Sequence, residues 1–150
     1  MNEMKIFTET NKPDIAEKNN IVDFLFEHLE NYGDKKNDIE KAINYALKEY
    51  QSFGGFILVS YENAEITGTV VVNQTGMKGY IPENILVYIA THNKHRGKGI
   101  GKQLMQETIN KANGNIALHV EPDNPARFLY EKFGFSSKYI EMRHLKTANH

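Results

Sequence analysis

The chain has 150 residues, with 18 Lys and Arg against 19 Asp and Glu and no cysteine. Hydrophobic residues at 40% and charged residues at 25% are ordinary for a globular chain and exclude a disordered or fibrous one. The lack of cysteine excludes a disulfide scaffold, a zinc-thiolate centre and a cysteine nucleophile. No run approaches the ~20 apolar residues of a membrane span and the opening MNEMKIFTETNKPD has no apolar signal core, so we expect one cytoplasmic domain over residues 1–150.

Lys5 to Thr8 alternates apolar and polar residues and predicts a short first strand. Pro13 and Asp14 open a helical pattern with Ile21, Phe24, Leu25 and Leu29 on one face, closed by Gly33. A second helix follows, with Asn37 as cap and Ile39, Ala42, Ile43, Ala46, Leu47 and Tyr50 as its stripe. Two β-rich runs, Phe56 to Tyr61 and Ile66 to Val72, are joined by a connection short enough for a hairpin. Ile85 to Ala90 is apolar on both alternating faces, which marks a strand covered on both sides. Ile100, Leu104, Met105, Thr108, Ile109 and Ala112 form a third helical stripe, and Ile116 to Val120 reads as another strand. Strand, helix and strand with short joints predict a parallel, right-handed crossover. Asn124 and Pro125 start a helix that ends at Gly134, and a last strand is expected from Lys138 to Met142. The order β-α-α-β-β-β-α-β-α-β implies a mixed sheet with helices on both faces.

Charge is unevenly placed. Residues 1–50 hold 7 Lys and Arg and 11 Asp and Glu, whereas residues 86–150 hold 10 and 5. Within the basic half, HNKHRGKGIGK (His92 to Lys102) contains no acid and lies where a buried strand gives way to a helix. Backbone N–H groups and the helix dipole favour an anion at such a place, and glycines let it approach the main chain. One short basic run in a neutral domain offers too few phosphate contacts for nucleic acid. The dinucleotide fingerprint G-x-G-x-x-G and the P-loop G-x-x-x-x-G-K-S/T both fail here on spacing.

The segment RGKGIGKQLM, from Arg96, has the form R-x-x-G-x-G, and LHVEPDNPARFLYEKFGF (Leu118 to Phe135) supplies a second block. Over about residues 84–142 the chain resembles the GNAT superfamily of acyl-CoA-dependent N-acyltransferases, with Asn93 and Lys94 standing where many relatives have a proline-containing turn. The resemblance implies a mixed, mostly antiparallel sheet with a central parallel pair formed by the fourth and fifth strands. It implies acetyl-CoA as co-substrate, its pyrophosphate held by backbone amides of Gly97, Lys98, Gly99, Ile100, Gly101 and Lys102 with charge from Arg96 and Lys98. Main-chain N–H groups around Ile89 and Thr91 would orient the pantetheine and polarise the thioester. Asn124 would meet the cofactor, although it equally suits a helix cap. Tyr130 shares a stripe with Ala126, Leu129 and Phe133, so periodicity makes it a core tyrosine, while the resemblance makes its hydroxyl the acid that protonates the departing thiolate.

Attack by an amine needs a proton acceptor, because an alkylammonium has a pKa of roughly 10. The strand position that carries an acid in many relatives is matched here by Ile85. Glu83, two residues earlier, shares its face if the strand extends that far, and is expected as the base with a raised pKa; otherwise it is an exposed residue after Pro82. His119 and Glu121 are reserves. His92 and His95 have pairwise spacing for a metal but no third ligand nearby, so no metal is expected.

The resemblance therefore implies transfer of an acetyl group to a primary amine of a small molecule by direct attack in a ternary complex, since no cysteine is available for an acyl intermediate. The chain would act as monomer or homodimer, without nucleic acid or membrane. The alternatives are a non-catalytic module that binds CoA or acyl-CoA, and acetylation of a protein amine.

Overall fold

Asp14 accepts the N–H of Glu17 at 2.7 Å through its side chain and so starts α1 (Ile15–His28), the first helix of a computed structural model that describes residues 3–146. The strand β1 (Glu3–Phe7) precedes it, and α2 (Lys36–Leu47) follows after a 3₁₀ turn at Glu30–Tyr32. Asn37, expected as the cap of α2, lies inside the helix, because the carbonyl of Lys35 already accepts the N–H groups of Asp38 and Ile39.

β2 (Gly55–Glu62) and β3 (Glu65–Gln74) form the expected hairpin. Its two turn residues, Asn63 and Ala64, both have positive φ, the backbone that matches the twist of a two-residue hairpin. β4 (Asn84–Thr91) leads through a second 3₁₀ turn at Asn93–His95 into α3 (Ile100–Lys111), then β5 (Ile116–Leu118) and α4 (Ala126–Lys132). The sheet order is β1-β2-β3-β4-β5, antiparallel throughout except for the parallel pair β4 and β5.

Continuous apolarity in the central strands has its reason in two cores, one on each sheet face. Ile57, Val59, Val71 and Tyr88 pack with Ile21, Leu25, Ile39 and Ile43 under α1 and α2. Phe56, Leu58, Val70, Val72 and Leu86 pack with Ile100, Leu104, Met105 and Tyr130 under α3 and α4. The expected mixed sheet with helices on both faces is therefore the observed architecture.

Two strand expectations fail. The strand at Lys138–Met142 does not form: residues 133–146 hold no regular element, and Tyr139 and Ile140 are 83% and 88% exposed. The segment has no neighbouring ladder, without which a strand's N–H and C=O groups stay with water. The strand expected at Ile116–Val120 ends at Leu118, because β4 and β5 pair only as Asn84–Ile116, Ile85–Ala117 and Leu86–Leu118.

Candidate active site

The early end of the parallel pair creates the site. Beyond Leu86, β4 continues against β3 alone, and its register shifts so that Val71 faces Tyr88 while Val72 faces Leu86, leaving Val87 as a bulge. His92 N–H donates to Thr67 O at 2.9 Å. The two-residue alternation of a strand then turns the N–H groups of Ala90 and Tyr88 toward β3, and those of Ile89 and Thr91 toward the side that β5 has left. Both residues expected to orient a thioester thus face an open edge.

At the end of that edge the chain turns into α3 through Gly97 (φ 85°) and Gly99 (φ 81°), with no side-chain cap on the helix. The first intrahelical bond runs from Gln103 N–H to Gly99 O, so the N–H groups of Ile100, Gly101 and Lys102 have no acceptor inside the helix. A Cβ placed on Gly97 or Gly99 would meet nothing within 4 Å, and one on Gly101 would stand 3.4 Å from both Leu129 Cδ2 and Thr91 Oγ1. The loop is open on its outer side, and Gly101 lies in the crevice between β4, α3 and α4. Ile100 is buried, so only its main chain is available to a ligand. Among the described residues Lys98 and Lys102 form no ion pair; Lys98 Nζ lies 3.5 Å from His95 Nδ1.

Arg96 is placed differently from the expectation. Its guanidinium is turned back to α1, donating to Glu30 Oε1 at 2.9 Å and to the carbonyl of His28 at 3.0 Å. Its charge is spent on Glu30, so Lys98 and Lys102 are the cations free to meet an anion.

Glu83 stands immediately before β4 and is occupied. Its Oε1 accepts the N–H of Asn115 at 2.7 Å and its Oε2 that of Gly79 at 3.0 Å. These bonds, Asn115 first, hold its carboxyl below the usual carboxylate range, opposite to the raised value expected of a base. Asn84 reinforces the clamp by donating to Asn113 O at 2.7 Å, so the pair fastens the turn before β5. His119 is exposed beyond the end of β5 and Glu121 is likewise exposed, with no partner that would orient either.

Tyr130 on α4 is buried in the core that also holds Leu86 and Leu118, the last pair before the strands diverge. Among the described residues its hydroxyl has no hydrogen-bond partner, and burial pushes its pKa up to about 12. Asn124 Oδ1 accepts the N–H of Ala126 at 2.9 Å, which realises the capping role and leaves its amide nitrogen free. Sequence reasoning passed over His28, whose Nδ1 accepts the N–H of Asn93 at 3.2 Å. The available signal was a histidine four residues after Phe24 on the buried stripe of α1. It also passed over Asp34, which accepts the Tyr88 hydroxyl at 2.5 Å. No group of three or more His, Asp or Glu residues suited to a metal occurs among the described residues.

A mixed five-stranded sheet whose single parallel pair ends early, followed by an uncapped glycine turn into a helix, is the architecture of an acetyltransferase-type α+β fold. The profile of the acetyltransferase (GNAT) domain matches residues 53–137, and the chain belongs to that family. Among solved structures it is similar to a ribosomal-protein-alanine N-acetyltransferase from Brucella melitensis, at 15% identity over 97% of this chain and 100% of that one, with a TM-score of 0.68. It is also similar to PH1933 from Pyrococcus horikoshii, at 26% identity over 95% and 93%, TM-score 0.68. A third similar structure is an aminoglycoside acetyltransferase from an uncultured soil metagenomic sample in complex with sisomicin, at 14% identity over 98% and 95%, TM-score 0.59. No curated protein matches the chain.

Proposed function

We propose that the protein acetylates a primary amine of a small molecule, taking the acetyl group from acetyl-CoA by direct attack. Acetyl-CoA supplies the activated thioester; the chain supplies binding, orientation and a proton. The observation that carries this reading is the continuity of the open β4 edge with the uncapped turn at Gly97–Lys102, which together offer a row of unpaired N–H donors. The N–H groups of Ile100, Gly101 and Lys102, at the positive end of α3, suit a pyrophosphate, and Lys98 and Lys102 add charge. Those of Ile89 and Thr91 suit amide and carbonyl groups lying beside β4. Asn124 keeps a free amide nitrogen while it caps α4.

Tyr130 Oη is the proton donor in this proposal. Burial keeps it protonated at neutral pH, and no neighbouring acceptor holds its proton, so the proton is available to a thiolate leaving at the point where the strands part. Glu83 is committed to two main-chain donors, and we assign it to the loop instead of to proton abstraction. The ammonium then loses one proton to solvent before attack, the nitrogen loses a second to solvent as the thiolate departs, and the Tyr130 phenolate takes a proton back from water. The acidic character of residues 1–50, which include α1 and α2, favours a cationic amine.

Release of free CoA thiol from acetyl-CoA over a panel of amines tests the activity. Tyr130→Phe should lower turnover by roughly 10²–10⁴ with little change in CoA affinity. Turnover unchanged in a step limited by chemistry returns Tyr130 to the core, and CoA binding without thiol release on any amine or protein terminus identifies a non-catalytic binding module.

A further inference from the structure

The buried stripe of α1 ends in a histidine that has no part in the reaction above. His28 is 4% exposed, yet both its side chain and its carbonyl are turned to the loop between β4 and α3. Its Nδ1 accepts the N–H of Asn93 at 3.2 Å, its Nε2 stands 3.5 Å from the Glu27 carboxylate, and its carbonyl accepts Arg96. Its ring lies 4.5 Å from that of Phe24 and 4.2 Å from that of His92, which in turn meets His95 edge-on at 5.2 Å. His95 adjoins Lys98. A continuous stack thus joins the end of α1 to the first half of the glycine loop.

We infer that His28 is the positioning residue of the CoA-binding loop: its neutral imidazole fixes the entry into the 3₁₀ turn at Asn93 and thereby the direction of the N–H groups through Gly101. The inference rests on the reading of that loop as the CoA site. An imidazole nitrogen accepts a hydrogen bond only while it carries no proton. Burial, and then His92, keep His28 below its ordinary pKa; Arg96 acts the same way, while Glu27 and Glu30 act against them. Glu27, facing Nε2, favours the tautomer with its proton there and leaves Nδ1 free for Asn93. The Arg96–Glu30 pair ties the same loop to the 3₁₀ turn that follows α1, but both side chains are about half exposed and screened, so the buried imidazole is the principal strut from α1. A group that shapes the loop without touching the reacting atoms should govern affinity for CoA and leave the rate at saturation alone.

The test is titration calorimetry with free CoA on the full chain and on His28→Phe, His28→Asn and His28→Gln, with amide hydrogen exchange over residues 92–99. His28→Phe keeps a ring in the stack and removes the acceptor; its Kd should rise about fivefold, as loss of one hydrogen bond predicts, with kcat at saturating acetyl-CoA within about twofold of wild type. His28→Asn and His28→Gln both lose the ring, but only Asn places an oxygen where Nδ1 was, so it should bind CoA more tightly than Gln and protect the loop amides better. The same contrast keeps the test valid if His28→Phe does not fold. Wild-type affinity and exchange in His28→Phe, or equal losses in Asn and Gln, would overturn the inference alone. A wild type that binds no CoA overturns the loop reading, and the inference with it.

Discussion

Glu83 was expected to be a base from its position on the fourth strand, yet its carboxylate is held by the N–H groups of Asn115 and Gly79. Residue type and spacing place it near the strand, but its shorter bond comes from Asn115, 32 residues further along the chain, and that separation is what hid its role. A glutamine cannot replace it, since its amide nitrogen would face a second donor. We expect Glu83→Gln to lower the melting temperature at pH 7 while leaving turnover within about twofold of wild type. The carboxyl's folded pKa lies below its ordinary value of 4.5, so its stabilisation is present above that pH and is lost as pH falls through the folded value. The difference in melting temperature between wild type and Glu83→Gln should therefore shrink as pH falls below 4.5. Arg96 gives the same lesson: the motif located the residue, while its partner Glu30 belongs to a turn that only folding brings near. The burial of Tyr130 and the turn at Gly97 and Gly99 were legible because they depend on helix phase and local backbone.

Most of the elements were legible because each buries a face whose period survives in one dimension. The stripes of α1, α2 and α3 and the doubly apolar β4 appear where the pattern puts them, except that α2 ends at Leu47 on a left-handed Lys48 and leaves Tyr50 exposed outside its stripe. The ends of elements were less so: β5 stops at Leu118, where its pairing with β4 ends, and the segment Lys138–Met142 has apolar residues without a partner strand. Gly68 on β3 shows how closely α3 lies on the sheet. A Cβ there would come within 2.7 Å of Leu104 Cδ1 and 3.0 Å of Ile100 Cγ2. Gly68→Ala should therefore destabilise by about 1–3 kcal/mol through overpacking. Leu104→Ala, at a fully buried position, should cost about 2–5 kcal/mol through the cavity it leaves. In the double variant the added methyl fills part of that cavity, so urea denaturation should give a loss smaller than the sum. Strict additivity would mean that the helix does not rest on Gly68.

Across the whole molecule, two cores clamp one five-stranded sheet, and the proposed site lies beyond the end of the sheet's parallel pair. The side under α1 and α2 carries the acidic segment, and the cations of the glycine loop stand at the start of α3. Charge asymmetry and the glycine spacing made this division legible in the sequence. The bracing of the loop by His28 was not, since nothing local marks which element will cover a turn. The central claim is that the crevice between β4, α3 and α4 takes acetyl-CoA, and thermal unfolding with added ligand tests it most directly. At about 100 times its Kd, acetyl-CoA should add ~2.7 kcal/mol, several degrees in melting temperature, with no comparable shift from NADH or ATP. Gly101→Val, whose branched side chain would fill the space beside Thr91 and Leu129, should unfold cooperatively but lose the shift. No shift of the wild type across the millimolar range, or an undiminished one in Gly101→Val, would contradict the claim.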